Sequence, residues 1–296
     1  NLNKTKVPLG IDEIDDMLQG GLSVGDIALF LAGSGVGKTK LLRWIGVSAA
    51  RRGFRVLHVQ AEGTEEECFV GYDSTWTSIE NALILNPQNS NLSKENLGKL
   101  QNVVRNIRNS GGEIFVHSYE QFGAPNMKDV RDIYVKIEEL YGKIDLILLD
   151  YLELFDAGDG KRYKSDAEGE RARRRAVGRK FKNICNEFQT RGVTATQSQD
   201  IKPALLEDPK FHMTRSHLSE FKNAIEPFSL FATINQTSDE YINNVMRIFI
   251  EKLRNYKGKK SVKIVTNYKK DRFYNRKATI EAGFYTPINH NLEWVD

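Results

Sequence analysis

Lys38 and Thr39 close the run Ala32-Gly33-Ser34-Gly35-Val36-Gly37-Lys38-Thr39-Lys40, in which glycine recurs at every second position before the cation. Glycines there let the backbone N–H groups of Gly33 to Gly37 turn inward around phosphate oxygens, where no side chain blocks the approach. Lys38 is then placed to reach the β- and γ-phosphates of a nucleotide, and the Thr39 hydroxyl to reach Mg²⁺. The spacing fits a phosphate-binding loop with Ala32 in the first glycine position, and residues Gly33 to Lys40 are the expected nucleotide-binding set. ATP or another NTP, with Mg²⁺, is the expected cofactor pair.

Hydrolysis of a phosphoanhydride also needs a metal bridge, an oriented water and compensation for charge on the transferred group. Asp150 ends the apolar run Ile144 to Leu149, the setting for an acid that holds Mg²⁺ beside the phosphate loop. Glu62 is expected to terminate a neighbouring strand and polarise the attacking water; the competing reading is a helix-start acid, since Glu65, Glu66 and Glu67 follow. Gln197 closes Thr194-Ala195-Thr196-Gln197, where a neutral amide can sense the γ-phosphate, with Gln199 as the alternative if the strand ends later. Lys252 and Arg254, two apart on a late strand and its end, project to one face and can bridge a phosphate of a neighbouring subunit. A basic edge strand that resists aggregation is the alternative for that pair.

These residues need elements to carry them. Ile27 to Leu31 is an apolar strand entering the loop, Leu41 to Arg52 a helix leaving it, and Arg55 to Ala61 a second strand, together a βαβ unit with parallel pairing. A short helix over Ile11 to Leu18 precedes them. Helical patterning continues from Glu65 to Arg108 with a polar break at Asn86 to Asn91. Glu113 to His117, Ile144 to Leu149 and Gly192 to Thr196 read as strands, separated by helices over Val130 to Leu140 and up to about Phe188, the latter with Val177, Phe181, Ile184 and Phe188 as its buried stripe. Gly158 to Asp166 is a polar loop, and Ser198 to Arg215 shows no period. Leu230 to Asn235, Val245 to Leu253 and Ser261 to Tyr268 read as strands, the last two an antiparallel hairpin through Tyr256 to Lys259. The fold class expected is α/β, a doubly wound, mostly parallel sheet with an antiparallel C-terminal edge.

A chain of 296 residues with 40% hydrophobic content is enough for one large domain, here 1–296 with 275–296 as a C-terminal extension. Two cysteines, Cys68 and Cys185, far apart and without metal-ligand spacing, argue against a disulfide framework and suggest a reducing compartment, so a cytoplasmic location is expected. Neither a bilayer-spanning run nor an amino-terminal signal segment is visible, and no membrane partner is expected. The net charge of +4, from 43 basic and 39 acidic residues, is too small to argue for a polyanion partner by itself.

Taken together, Gly10-Ile11-Asp12 before Gly20-Gly21-Leu22, the phosphate loop, Ala61-Glu62, Asp150-Tyr151-Leu152-Glu153-Leu154, Thr196-Gln197 and Lys252-Leu253-Arg254-Asn255 resemble the RecA-type motor domain of DnaB-family replicative helicases, phage relatives included. The resemblance covers nearly the whole chain. It implies a homohexamer that hydrolyses NTP between subunits and moves 5′ to 3′ on single-stranded DNA, unwinding duplex at the fork. By the same resemblance Lys38 and Thr39 take phosphate and Mg²⁺, Glu62 is the catalytic carboxylate, Asp150 holds the metal, Gln197 senses the γ-phosphate, and Lys252 and Arg254 act in trans. DNA contacts would come from Gly158 to Asp166 and from Ser198 to Lys222, which offer Lys161, Arg162, Lys164, Lys202, Lys210, Arg215 and Lys222.

The chain departs from the family at two places. Leu218-Ser219-Glu220-Phe221-Lys222 stands where the family usually has Leu-Arg-Glu-Ser-Gly, so Lys222 is the cation left for the second loop, and Glu153 stands in place of glutamine. The family's amino-terminal primase-interacting domain has no counterpart in the sequence, although primase and a helicase loader remain implied partners. The alternative activity is that of a RecA-like recombinase or a clock-type ATPase, binding DNA or partners without unwinding.

Overall fold

The computed structural model describes residues 5–85, 94–120, 123, 125–161, 163, 167–198, 201–218, 225–254, 259–275 and 279. Two short strands, β1 (Lys6–Val7) and β2 (Leu22–Ser23), pair antiparallel around helix α1 (Asp12–Met17). Then come β3 (Ile27–Ala32), α2 (Lys38–Arg51), β4 (Arg55–Gln60), α3 (Glu65–Thr77), α4 (Asn81–Leu85), α5 (Lys94–Ser110), β5 (Glu113–Ser118), α6 (Met127–Tyr141) and β6 (Leu146–Asp150). Helix α7 (Ala167–Glu187), β7 (Arg191–Gln197), α8 (Pro203–Leu206), β8 (Leu230–Asn235), α9 (Ser238–Ile242), β9 (Val245–Leu253), β10 (Lys260–Asn267) and β11 (Arg272–Asn275) complete the order.

Nine strands form one sheet in the order β11-β10-β9-β8-β3-β7-β6-β4-β5. From β8 to β5 every neighbour is parallel, and β9, β10 and β11 continue antiparallel at one edge, as the sequence leads one to expect. Strand β3 shows how the layers are built. Its alternate residues Ala28, Phe30 and Ala32 pack on one face with Leu41, Leu42 and Ile45 of α2, whereas Ile27, Leu29 and Leu31 pack on the other with Val130 and Tyr134 of α6 and Val177, Phe181 and Ile184 of α7. Burial on both faces explains why the strand is an unbroken apolar run and not an alternating one. Gly192 lets α7 come close, since a Cβ there would lie 2.4 Å from Cζ of Phe181.

Several boundaries differ from the sequence reading. Helix α2 begins at Lys38 and not at Leu41, because Gly37 turns the chain with φ of 92° and the helix starts at once. Strand β4 stops at Gln60, so Glu62 sits in the turn beyond it. The stretch after Gln197 contains one turn of helix, α8, and a 3₁₀ turn, Arg215–His217. Strands β1, β2 and β11 and helix α9 have no counterpart in the sequence reading. Arg162, Lys164, Gln199, Lys222, Asn255 and all of 276–296 but Thr279 lie outside the described residues.

Candidate functional site

Because β3, β4, β6 and β7 run parallel, the connections that follow them open at the same end of the sheet, where α/β folds bind ligands. The phosphate loop leaves β3, and Ala32 is in register with Gln197 of β7, while Gln60 of β4 is in register with Asp150 of β6. A cleft of about 480 Å³ opens there, lined by Ser34, Gly35, Gly37 to Lys40, Arg43, Glu62, Tyr151 and Gln197. A hollow of about 870 Å³ at the far end of α2, lined by Lys6, Asp15, Arg51 and Arg52 among others, contains none of these residues.

The start of α2 carries no side-chain cap, which leaves its first N–H groups free for an anion, and the helix is 14 residues long. Lys38 turns its Nζ to the Gly33 carbonyl at 3.0 Å and lies 5.7 Å from the centre of the Tyr151 ring. Burial pulls the Lys38 ammonium below its usual range, while the charges of Glu153, Asp150 and Glu62 oppose that pull. Lys40, expected among the nucleotide contacts, is held by the Tyr268 carbonyl at 2.7 Å and by the carboxylate of Asp271. Gly37 faces Tyr268 closely, since a Cβ at Gly37 would come within 2.9 Å of the tyrosine ring.

Asp150 is 6% exposed and accepts a hydrogen bond from the Thr39 hydroxyl. Burial raises its carboxyl above the usual range, against the stabilising effects of Thr39, Arg43 and Lys38. Its Oδ1 is buried without a hydrogen-bond partner among the described residues. Among the described residues no three His, Cys, Asp or Glu side chains gather as a metal cage. A hydroxyl beside a half-satisfied carboxylate suits Mg²⁺ that also takes phosphate and water oxygens, so the residues present fit that ion. Behind Asp150, His58 lies 4.0 Å from its Oδ2 and bonds through Nδ1 to the Tyr72 hydroxyl at 2.7 Å. Burial pushes the imidazole down to about 3, so it is neutral.

Glu62 is exposed and reaches the cleft from a turn that Gln60 secures, its amide donating to the carbonyls of Gly63 at 2.6 Å and Thr64 at 2.9 Å. Gln197 is exposed at the end of β7 and borders both this cleft and a smaller cavity of about 220 Å³ formed with Ile201, Leu206, Phe211 and Met213. The segment after β7 therefore touches the far side of the phosphate loop.

Lys252 and Arg254 are elsewhere. Strand β9 runs antiparallel to β8, so its last residue, Leu253, pairs with Leu230, which pairs in turn with Ala28 near the start of β3. The pair thus sits at the end of the sheet away from its own phosphate loop, roughly 15 Å along the strand. Lys252 donates to the carbonyls of Ile225 at 2.8 Å and Glu226 at 3.2 Å, whereas Arg254 is exposed. Of the expected DNA contacts, Lys161, Lys202 and Lys210 are exposed, and Arg215 pairs with Glu251 at 2.7 Å.

Arg43, Tyr151, Tyr268 and Asp271 border or brace the site without having been singled out in the sequence. Asp271 is fully buried, and besides Lys40 it takes Arg43 at 3.0 Å and Asn81 at 3.1 Å. Arg43 has a weak local signal, one helical turn after Thr39, but nothing local marks Asp271, more than two hundred residues away.

Among curated proteins, none matches the chain by sequence. Two solved structures share its fold. One, of a DnaB-like replicative helicase described with its interactions with primase, is 18% identical and has a TM-score of 0.74, with 92% of this chain and 62% of that one covered. The other, an ATPase domain solved by itself, is also 18% identical at a TM-score of 0.74, with 92% and 93% covered. Residues 6–200 match the family model described as DnaB-like helicase C terminal domain. Since those residues are more than half of the 296, the chain belongs to the DnaB-like helicase C-terminal domain family.

Proposed function

We propose that the chain is the motor of a replicative DNA helicase, hydrolysing ATP or another NTP between the subunits of a homohexamer, moving 5′ to 3′ on single-stranded DNA and unwinding duplex at the fork. One observation carries this reading: Lys38, Thr39, Glu62 and Gln197 line one cleft with Asp150 against its floor, while Lys252 and Arg254 stand at the opposite end of the same sheet. A site that lacks a mobile cation in its own subunit is completed by a neighbour's, as an arginine finger acts in trans.

In this scheme the N–H groups of Gly33 to Gly37 and the start of α2 bind the phosphates, and Lys38 swings from the Gly33 carbonyl to the β- and γ-oxygens. Thr39 and Asp150 are the residues that would hold Mg²⁺, whose charge would offset that of the phosphates. Glu62 takes the proton of the attacking water, and Gln197 reports the γ-phosphate to the segment that follows β7. Lys161, Arg162, Lys164, Lys202, Lys210, Arg215 and Lys222 supply the DNA path, Arg215 only on exchanging its partner Glu251. Primase and a helicase loader are the protein partners that accompany this reading. No helix among the described residues is long and apolar enough to cross a membrane.

Hydrolysis of ATP should rise on addition of single-stranded DNA, and a fork with a 5′ tail should be unwound. Hydrolysis indifferent to DNA sinks the motor reading, and DNA-stimulated hydrolysis with strand exchange but no unwinding moves the chain to the recombinases.

A further inference from the structure

Between the two strand ends that bring Asp150 and Gln197 to the cleft lies a carboxylate with no part in the scheme above. Glu153 belongs to a 3₁₀ turn, Leu152–Leu154, directly after β6, and its side chain crosses to β7. One oxygen, Oε1, accepts the backbone N–H of Gln197 at 3.0 Å and the hydroxyl of Thr196. Arg174 of α7 stands 3.6 Å from the same oxygen, and Arg173 fixes the turn by donating to the carbonyls of Phe155 at 2.7 Å and Glu153 at 2.9 Å. The other oxygen, Oε2, is buried without a partner among the described residues.

We propose that Glu153 is a positioning residue for nucleotide turnover: it clamps the last residue of β7 to the turn after β6 and so sets where the Gln197 side chain stands in the cleft. The inference rests on reading that cleft as an NTP-hydrolysing site. The clamp is built from groups that have no other partner in reach, since a strand's last N–H has no ladder bond to make and is otherwise solvated. A carboxylate accepts two donors on one oxygen more firmly when ionised than when protonated, so the clamp depends on its charge. The groups facing it are Arg174 from α7, Lys38 from α2 and Tyr151 from the end of β6. Burial pushes the Glu153 carboxyl up to about 7, against Arg174, the Gln197 N–H and Lys38. The clamp therefore loosens as the solution becomes mildly acid.

The test is steady-state ATP hydrolysis with Mg²⁺ by the full chain between about pH 5.5 and 8.5, for the wild type, Glu153→Gln and Glu153→Ala, with kcat and KM resolved separately. In the wild type, kcat falls on acidification through about 7. Glu153→Gln, which keeps an acceptor for Thr196 and Gln197, retains turnover at alkaline pH within about threefold and loses that limb of the profile. Glu153→Ala loses about tenfold or more in kcat across the range with KM within about twofold. Should Glu153→Ala not fold, the Glu153→Gln profile decides. An unchanged kcat in Glu153→Ala, a wild-type profile in Glu153→Gln or a loss confined to KM overturns the proposal. A wild type that hydrolyses nothing defeats the hydrolysis reading instead, and the clamp is then judged by the ¹⁵N-labelled Gln197 backbone amide. Its proton shift should titrate in the wild type and stay flat in Glu153→Gln; a flat wild-type response overturns the clamp.

Discussion

Two buried glutamates in this chain each face an arginine, and they are treated in opposite ways. Glu240 in α9 accepts Arg247 Nε at 2.6 Å on one oxygen and the Thr237 N–H at 2.8 Å on the other, while Arg247 also donates to the Phe211 carbonyl at 2.8 Å. Glu153 receives both its close donors on one oxygen, leaves the other unpaired among the described residues, and keeps Arg174 at 3.6 Å. A charge pair closed on all sides fixes a corner of the fold, here the junction of α9, β9 and the segment after α8. A pair left half open is costly to stability, and such costs are tolerated where a site needs them. Asp150, with its unpaired Oδ1, belongs with Glu153 in this respect.

The comparison breaks if residues on the open side prove to be structural. Lys38→Ala should lower kcat for ATP by about three orders of magnitude or more while leaving the melting temperature unchanged or higher, because it removes a buried ammonium whose task is to meet phosphate. Appreciable turnover in that variant, measured by phosphate release, would remove the nucleotide reading. The same contrast holds for cations at the other end of the sheet: Arg247 is enclosed, whereas Arg254 is exposed. Arg254→Ala and Glu62→Ala chains, each about a hundredfold or more impaired alone, should regain part of their hydrolysis when mixed into the same ring. No recovery at any ratio in verified mixed rings argues against a cation supplied in trans.

On the closed side, Arg247→Met strands Glu240 in the interior and should destabilise by about 3–5 kcal/mol, a drop of roughly ten degrees in melting temperature by calorimetry. Hydrolysis at low temperature should survive, and a cold-active defect would place Arg247 with the site. The smallest effect concerns Glu153. Its folded-state carboxyl titrates near 7, above the ordinary 4.5, so the folded protein binds this proton more tightly than the unfolded chain does. The resulting stabilisation is fully present below about 4.5 and is lost as pH rises through about 7. Glu153→Gln should therefore melt a few degrees above the wild type at alkaline pH and no higher in acid. Acidity would then favour the fold of the wild type and disfavour its turnover.

Much of the fold was legible because burial on two faces writes itself into local sequence: β3, β6 and β8 are apolar runs, and glycine or polar clusters mark where they stop. The phosphate loop and Asp150 were legible for the same reason, each being tied to a strand end. The two-residue strands β1 and β2 and the five-residue α9 are too short to show a period. Partners were less legible still. That Lys40 and Arg43 close on Asp271, and that Glu153 reaches β7, depends on chain segments brought together from far apart, and no spacing rule reports it. Glu62 lies in between: its neighbourhood was readable, but the strand ends at Gln60, and the side chain enters the cleft only because Gln60 holds the turn.

Strand β8 has a consequence for how the chain can be cut. It pairs along β3 from Leu230 to Ile234, and β9, β10 and β11 follow it outward, yet the family match ends at residue 200. A fragment trimmed at that point would strip one flank from the very strand that bears the phosphate loop, exposing a row of unpaired N–H and C=O groups on a long apolar edge. Such a fragment should stick to itself in solution long before it could be asked to bind a nucleotide.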